Sequence, residues 1–240
     1  METSARKGLS GKRVLLALGA LAGVLGGWLY WIAASDTPAE YRQSKPGAPA
    51  DAVRVATVDM QWQPGIEAAT EALRGVRPDV VLVQHITRDG LAELAMSLDV
   101  RGPEHLFYSE LGIEGRTLGG CGIISRHVLY RHRELRDGTR DAFAVAAEVV
   151  VAGRRFLLIS VAIGGPSMVE QSEVLRKSTG LLRIGPLVCA GQLGPTPPQG
   201  LHPFPANGGQ RIYASEHWRV RASGGSGDVA WAEMAAGDTN

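Results

Sequence analysis

The chain has 240 residues, 45% of them apolar and 20% charged, with a formal net charge of +1. That balance excludes general disorder, leaves room for one substantial domain, and gives no global field to gather a polyanion. The first residues are a separate matter. Arg6, Lys7, Lys12 and Arg13 precede an uncharged stretch, VLLALGALAGVLGGWLYWIAA, from Val14 to Ala34. As a helix it spans about 30 Å, the thickness of a hydrocarbon core. Trp28, Tyr30 and Trp31 gather at one end, where amphipathic rings favour the headgroup layer. Residues 1–13 are therefore expected to be a basic N-terminal segment and 14–34 a single transmembrane anchor with membrane lipid as its partner. A cleaved signal peptide ending near Ala33-Ala34-Ser35 is the alternative. The basic flank places the N-terminus in the cytoplasm and the domain outside it. Residues 35–52, rich in Pro, Ala and polar side chains, read as a linker.

From Val53 the chain alternates strand and helix signals. Val53–Val58 is a short β-branched run, and Gly65–Gly75 carries Ile66, Ala69 and Leu73 at helical spacing. Val80–Val83 reads as a strand buried on both faces. Asp89–Leu98 reads as a helix with Asp89 as its N-cap. His105–Tyr108, Gly122–Ser125, Ala142–Val151 and Arg155–Ala162 are further strands, the last two joined by an Ala152-Gly153 hairpin. Ser167–Leu182 reads as a helix, Leu187–Ala190 as a strand, 194–209 as loop, and Arg211–Ser215 and Ala230–Met234 as closing strands. No internal repeat is visible. The pattern predicts a layered α+β domain over 53–234 and a flexible tail at 235–240.

Five segments occur in a telling order: VATVDMQ (55–61), DVVLVQHI (79–86), GCGIISRH (120–127), LLISVAIGG (157–165) and LVCAGQLG (187–194). They resemble the strand-end motifs of the endonuclease/exonuclease/phosphatase superfamily. The resemblance implies a four-layer α/β/β/α sandwich of two mixed β-sheets, with a metal-dependent phosphoesterase site at the strand ends. It also implies specific residue types, and this chain departs from them. Asp59 stands where the family has Asn. Gln84-His85 stands for Gln-Glu, so an imidazole replaces the principal metal-binding carboxylate, and Mg²⁺ prefers anionic oxygen. Ala162-Ile163 replaces a phosphate-binding His-Leu. Gly191-Gln192-Leu193-Gly194 replaces Gly-Asp-Phe-Asn. Ser226-Gly227 replaces the closing Asp-His, with Asp228 one residue on, and Arg211-Ile212-Tyr213 replaces Ile-Asp-Tyr. Ser125-Arg126 keeps the family pattern, as a structural feature.

The expected function follows from these departures: a membrane-anchored family scaffold, catalytically inactive, acting by binding or scaffolding, with a protein partner of unspecified identity. The alternative is an active metal-dependent phosphoesterase with a remodelled site. The first reading needs no cofactor, and the second needs Mg²⁺ or another divalent metal. The degenerate cleft positions are Asp59, His85, Gln192 and Asp228. Asp59 and His85 are the weak metal candidates, with His202 or His217 recruited from loops. Residues 126–140 hold Arg126, His127, Arg131, His132, Arg133, Arg136 and Arg140, but Glu134, Asp137 and Asp141 are interspersed, and the stretch reads as a solvated loop. Trp62 and Gln63 lie beside the expected cleft. Nothing signals nucleic-acid binding strongly. Cys121 and Cys189, each within an apolar run, read as buried free thiols, although an extracytoplasmic disulfide is chemically open.

Overall fold

The computed structural model describes residues 52–61, 66–113, 116–136, 142–151, 153–162, 173, 175, 177, 186–192, 201–204, 210–226 and 228–236. The expected anchor at 14–34 and the linker up to residue 51 lie outside these. Among the described residues, no helix is long and apolar enough to cross a membrane.

The first strand, β1 (Ala52–Asp59), is apolar at five of its eight positions, on both of its faces, because both are covered. Val53 and Val55 face the core between the sheets, and Ala56 and Val58 face the helices. Helix α1 (Glu67–Val76) follows, buries Leu73, and ends on Arg77, whose φ of 53° places it in the left-handed region. Strand β2 (Val80–Ile86) leads into α2 (Arg88–Ser97). The N-cap of α2 is Thr87, not the expected Asp89: the Thr87 hydroxyl accepts from the Gly90 amide at 3.1 Å. Asp89 instead sits in the first turn, where its charge suits the helix dipole.

After a 3-10 turn (Pro103–His105) come β3 (Leu106–Ile113), β4 (Arg116–Ser125), β5 (Tyr130–Arg136), β6 (Ala142–Val151), β7 (Arg154–Ala162), β8 (Leu187–Gln192), β9 (Leu201–Phe204), β10 (Arg211–Ser215), β11 (Trp218–Ser226) and β12 (Val229–Ala236). Three of these correct the sequence reading. Tyr130–Arg136, expected as loop, is a strand that pairs among the described residues with β6 alone, as an edge, so its charged side chains keep solvent while its backbone joins the ladder. Leu201–Phe204, within another expected loop, pairs with β10 despite Pro203, as an edge position permits. The Gly- and Arg-rich β11 was not anticipated; it edges the sheet beside β12, with a bulge between Val220 and Ala222. Of the expected helix 167–182, the described residues Glu173, Leu175 and Lys177 are helical.

The strands form two mixed sheets. The first runs β11-β12-β1-β2-β4-β3 and the second β5-β6-β7-β8-β10-β9, and among the described residues their strands pair with each other at Leu111–Ala142 alone. Each has one parallel pair at its centre, β1/β2 and β7/β8, flanked by antiparallel partners. One apolar core fills the space between the sheets. A second lies under α1 and α2 on the outer face of the first sheet, and a third, which includes helical Leu175, on the outer face of the second.

This arrangement gives the domain two ends. Strands β1, β2, β7 and β8 all finish at one end, the rim, where Asp59, Gln84, Ala162 and Gln192 lie. The opposite end, the foot, is where β1 begins. Ser125-Arg126 lies at the foot and is structural, as expected. The Arg126 guanidinium donates to the Pro78 and Leu98 carbonyls, each at 3.2 Å, and the Ser125 hydroxyl accepts from the His127 amide at 3.0 Å.

Cys121 and Cys189 are free and buried, in different cores. Burial pushes the Cys121 thiol up to about 12 and raises that of Cys189 further. Neither thiol should react with a disulfide reagent at pH 8 in the folded protein, and both should react after denaturation. Burial also holds the His127 imidazole below its ordinary range, with Asp79 opposing and His105 reinforcing the shift. The unfolded chain then binds that proton first, so stability is complete above about pH 6.5 and falls as the pH drops below it. Urea titrations at pH 7.5 and 5.0 should show a smaller loss in His127→Gln than in the parent.

Candidate active-site rim

The rim is built around a bulge in β2. Between the Val83–Gly122 and Ile86–Gly120 pairs, Gln84 and His85 together oppose the single residue Cys121. The extra residue takes a left-handed conformation, His85 at φ 49°, which costs on the order of 1 kcal/mol for a non-glycine residue. Its effect is to aim two consecutive side chains differently. Gln84 goes into the sandwich and His85 turns to the end of β1.

His85 Nδ1 lies 2.7 Å from Asp59 Oδ1, which also accepts the Gln61 amide at 2.9 Å. A carboxylate only accepts, so the Asp59 contact places the imidazole proton on Nδ1. Asp59 is almost fully buried, and Gln61, at φ 45°, is the second left-handed residue flanking it. The structure thus brings together the expected pair of Asp59 and His85. Asp228 is an exposed turn residue one position beyond the Val58–Val229 pair, which sets its backbone opposite Asp59. Gln192 closes β8 in register with Ala162. Its side chain lies outside those described, as do Trp62, Gln63 and Gly227.

Two expected recruits are not at the rim. His202 is paired with Ala214, and His217 follows Ser215 in the turn leaving β10. β10 runs away from the rim: its Arg211 pairs with Gly191 and its Ala214 with Val188. Both histidines therefore sit roughly 10 Å or more down the sheet toward the foot. His217 Nδ1 contacts the Ser215 hydroxyl instead, at 3.3 Å. Among the described residues, no three His, Cys, Asp or Glu side chains are gathered to hold a metal ion. Among the described residues, the imidazole and carboxylate that meet at the rim are bonded to each other, a pair that does not fit a hard cation such as Mg²⁺.

Behind this pair lies a buried network that sequence reasoning missed. Gln84 Nε2 donates to Ser160 Oγ at 2.9 Å, and that hydroxyl donates to the Val83 carbonyl at 3.0 Å. The Thr57 hydroxyl lies 3.2 Å from both Gln84 Oε1 and Gln210 Oε1. With one proton it donates to one of them; the other contact is satisfied when the Gln210 amide is turned so that its NH₂ group donates. Cys121 borders the same group through Ser160. Gly191 closes the network from the second sheet. Its φ is 135°, and a Cβ there would meet the Val161 carbonyl at 2.0 Å and Gln84 Cδ at 3.0 Å. Isolated polar letters in apolar strands, Thr57, Gln84 and Ser160, were the available signal.

Removing the Ser160 hydroxyl should strand the Gln84 amide and the Val83 carbonyl away from water. Ser160→Ala is expected to cost about 1–3 kcal/mol, read from the urea midpoint at unchanged slope. Gly191→Ala should cost more, because backbone rather than a flexible side chain occupies the new methyl's place.

No family model matches this sequence, and no curated protein does. Solved structures match its shape. An endonuclease/exonuclease/phosphatase family protein from Leptotrichia buccalis superposes with a TM-score of 0.59 at 13% identity, over 77% of this chain and 99% of that one. A protein of the same description from Bacteroides thetaiotaomicron gives 0.56 at 13% identity, over 79% and 99%. TDP2 from C. elegans gives 0.56 at 13% identity, over 98% and 97%. Two facing mixed sheets with their parallel pairs ending at a common rim are thus the fold of endonuclease/exonuclease/phosphatase family proteins.

Proposed function

We propose that this chain is a membrane-anchored, four-layer α/β/β/α domain that works by binding or scaffolding, not by metal-dependent phosphoester hydrolysis. The observation that carries the reading is the closed Asp59–His85 pair at 2.7 Å. In the superfamily that the sequence resembles, position 85 carries the principal metal-binding carboxylate. Here the side chain at that position is an imidazole whose Nδ1 proton goes to Asp59. The polar interior behind it is neutral and internally satisfied, with Gln84 bonded across to Ser160. Loss of a metal ligand removes a contribution ordinarily worth several orders of magnitude in rate. The anchor rests on the apolar stretch 14–34 and its basic flank, and with it the single-pass topology and the extracytoplasmic position of the domain.

The test is turnover of bis-p-nitrophenyl phosphate by the full chain with Mg²⁺ or Mn²⁺. No rate above the metal-only background is expected. Turnover that disappears in His85→Ala or Gln192→Ala would overturn the proposal. A second reading, an active phosphoesterase with a remodelled site, draws on the same Asp59–His85 pair. It requires Mg²⁺, Mn²⁺ or Zn²⁺ binding by calorimetry that is lost when both residues become alanine.

A further inference from the structure

The domain is close to neutral, but its charge is not evenly placed. The exposed side chains Arg77, Arg101, Arg154, Arg155 and Arg219 all lie at the foot. The exposed side chains Glu67, Asp89, Glu110, Glu134 and Asp228 all lie toward the rim. The separation is incomplete. Asp99, Glu104 and Glu216 interrupt the foot, and Arg88, Arg136 and Arg211 interrupt the rim. Among the described residues, arginines still outnumber carboxylates about two to one in the foot half, and the ratio is reversed in the rim half. Salt screens such a field over about 8–10 Å, so the foot acts only on a surface it touches.

Chain connectivity favours the bilayer as that surface, because the segment read as the anchor attaches at this end. β1 starts at the foot, so residues 1–51 join the domain there. We propose that the foot is a docking surface for anionic phospholipid headgroups, holding the domain against the bilayer with the rim turned away. The proposal rests on the anchored reading for its geometry. The arginine cluster itself does not depend on that reading. Headgroup phosphates take arginine as a bidentate partner, and several arginines near an anionic leaflet act additively. The carboxylate-rich rim is repelled by the same surface, which fixes the orientation.

The experiment uses the full chain with vesicles of phosphatidylcholine alone or with one third phosphatidylserine. The expected result is flotation with both vesicle types in 0.5 M salt, through the anchor. A fluorophore at position 101 (Arg101→Cys) should be quenched by headgroup quenchers only with phosphatidylserine and low salt. A fluorophore at position 228 (Asp228→Cys) should not be quenched. The buried thiols leave each introduced cysteine as the one labelled. The triple variant Arg101→Glu, Arg155→Glu, Arg219→Glu, labelled at position 77 (Arg77→Cys), should lose on the order of tenfold in this contact. Flotation without any lipid-charge or salt dependence of the quenching overturns the docking surface and leaves the anchor standing. Absence of flotation with neutral vesicles, together with salt-sensitive binding to anionic ones that the triple variant loses, overturns the anchor and supports the docking surface. No association with either vesicle overturns both. Equal salt-sensitive retention on double-stranded DNA would overturn the assignment to lipid.

Discussion

Two hydrogen bonds on one hydroxyl tie the two sheets together at the rim: Gln84 Nε2 donates to Ser160 Oγ, and Ser160 Oγ donates to the Val83 carbonyl. A primary amide placed where no water reaches must have its partners supplied by protein, or it costs more than the apolar side chain it replaced. The bulge in β2, the hydroxyls of Thr57 and Ser160, the bare backbone of Gly191 and the amide of Gln210 all read as answers to that demand. The same bulge turns His85 toward Asp59. The chemistry visible at the surface is therefore a by-product of a requirement set inside.

The two sheets repeat one another in a way no residue comparison shows. Strand directions across β11-β12-β1-β2-β4-β3 match those across β5-β6-β7-β8-β10-β9, one for one. In that correspondence Thr57 answers to Ser160, and Gln84 to Gln192. The halves share strand direction while their side chains differ, because a sheet constrains which face is apolar far more than which apolar residue fills it.

What could be read from the sequence follows from how each element is buried. β1, β2, β6, β7 and β8 are covered on both faces, so they appear as mainly apolar runs and were legible. β5 and β9 are edges; Arg131, Arg133 and Pro203 are tolerated because one side of each strand faces solvent, and those letters mimic a loop. β11 hides behind its glycines, one of which lets Trp231 pack against the backbone at Gly224. At the site, Asp59 and His85 were found through strand-end position. Excluding His202 and His217 required the direction of β10, and strand direction in an antiparallel meander is not written in any local motif.

The edges have a consequence for the molecule in company. Among the described residues, β5 is an edge that carries arginines and a left-handed Arg131, φ 46°, and β9 is an edge that carries a proline, so neither offers a straight, neutral template to a neighbour. Any setting that crowds copies side by side multiplies the encounters between such edges. The guarding residues then decide whether crowding produces a dense layer of separate molecules or a continuous sheet that grows from one copy to the next.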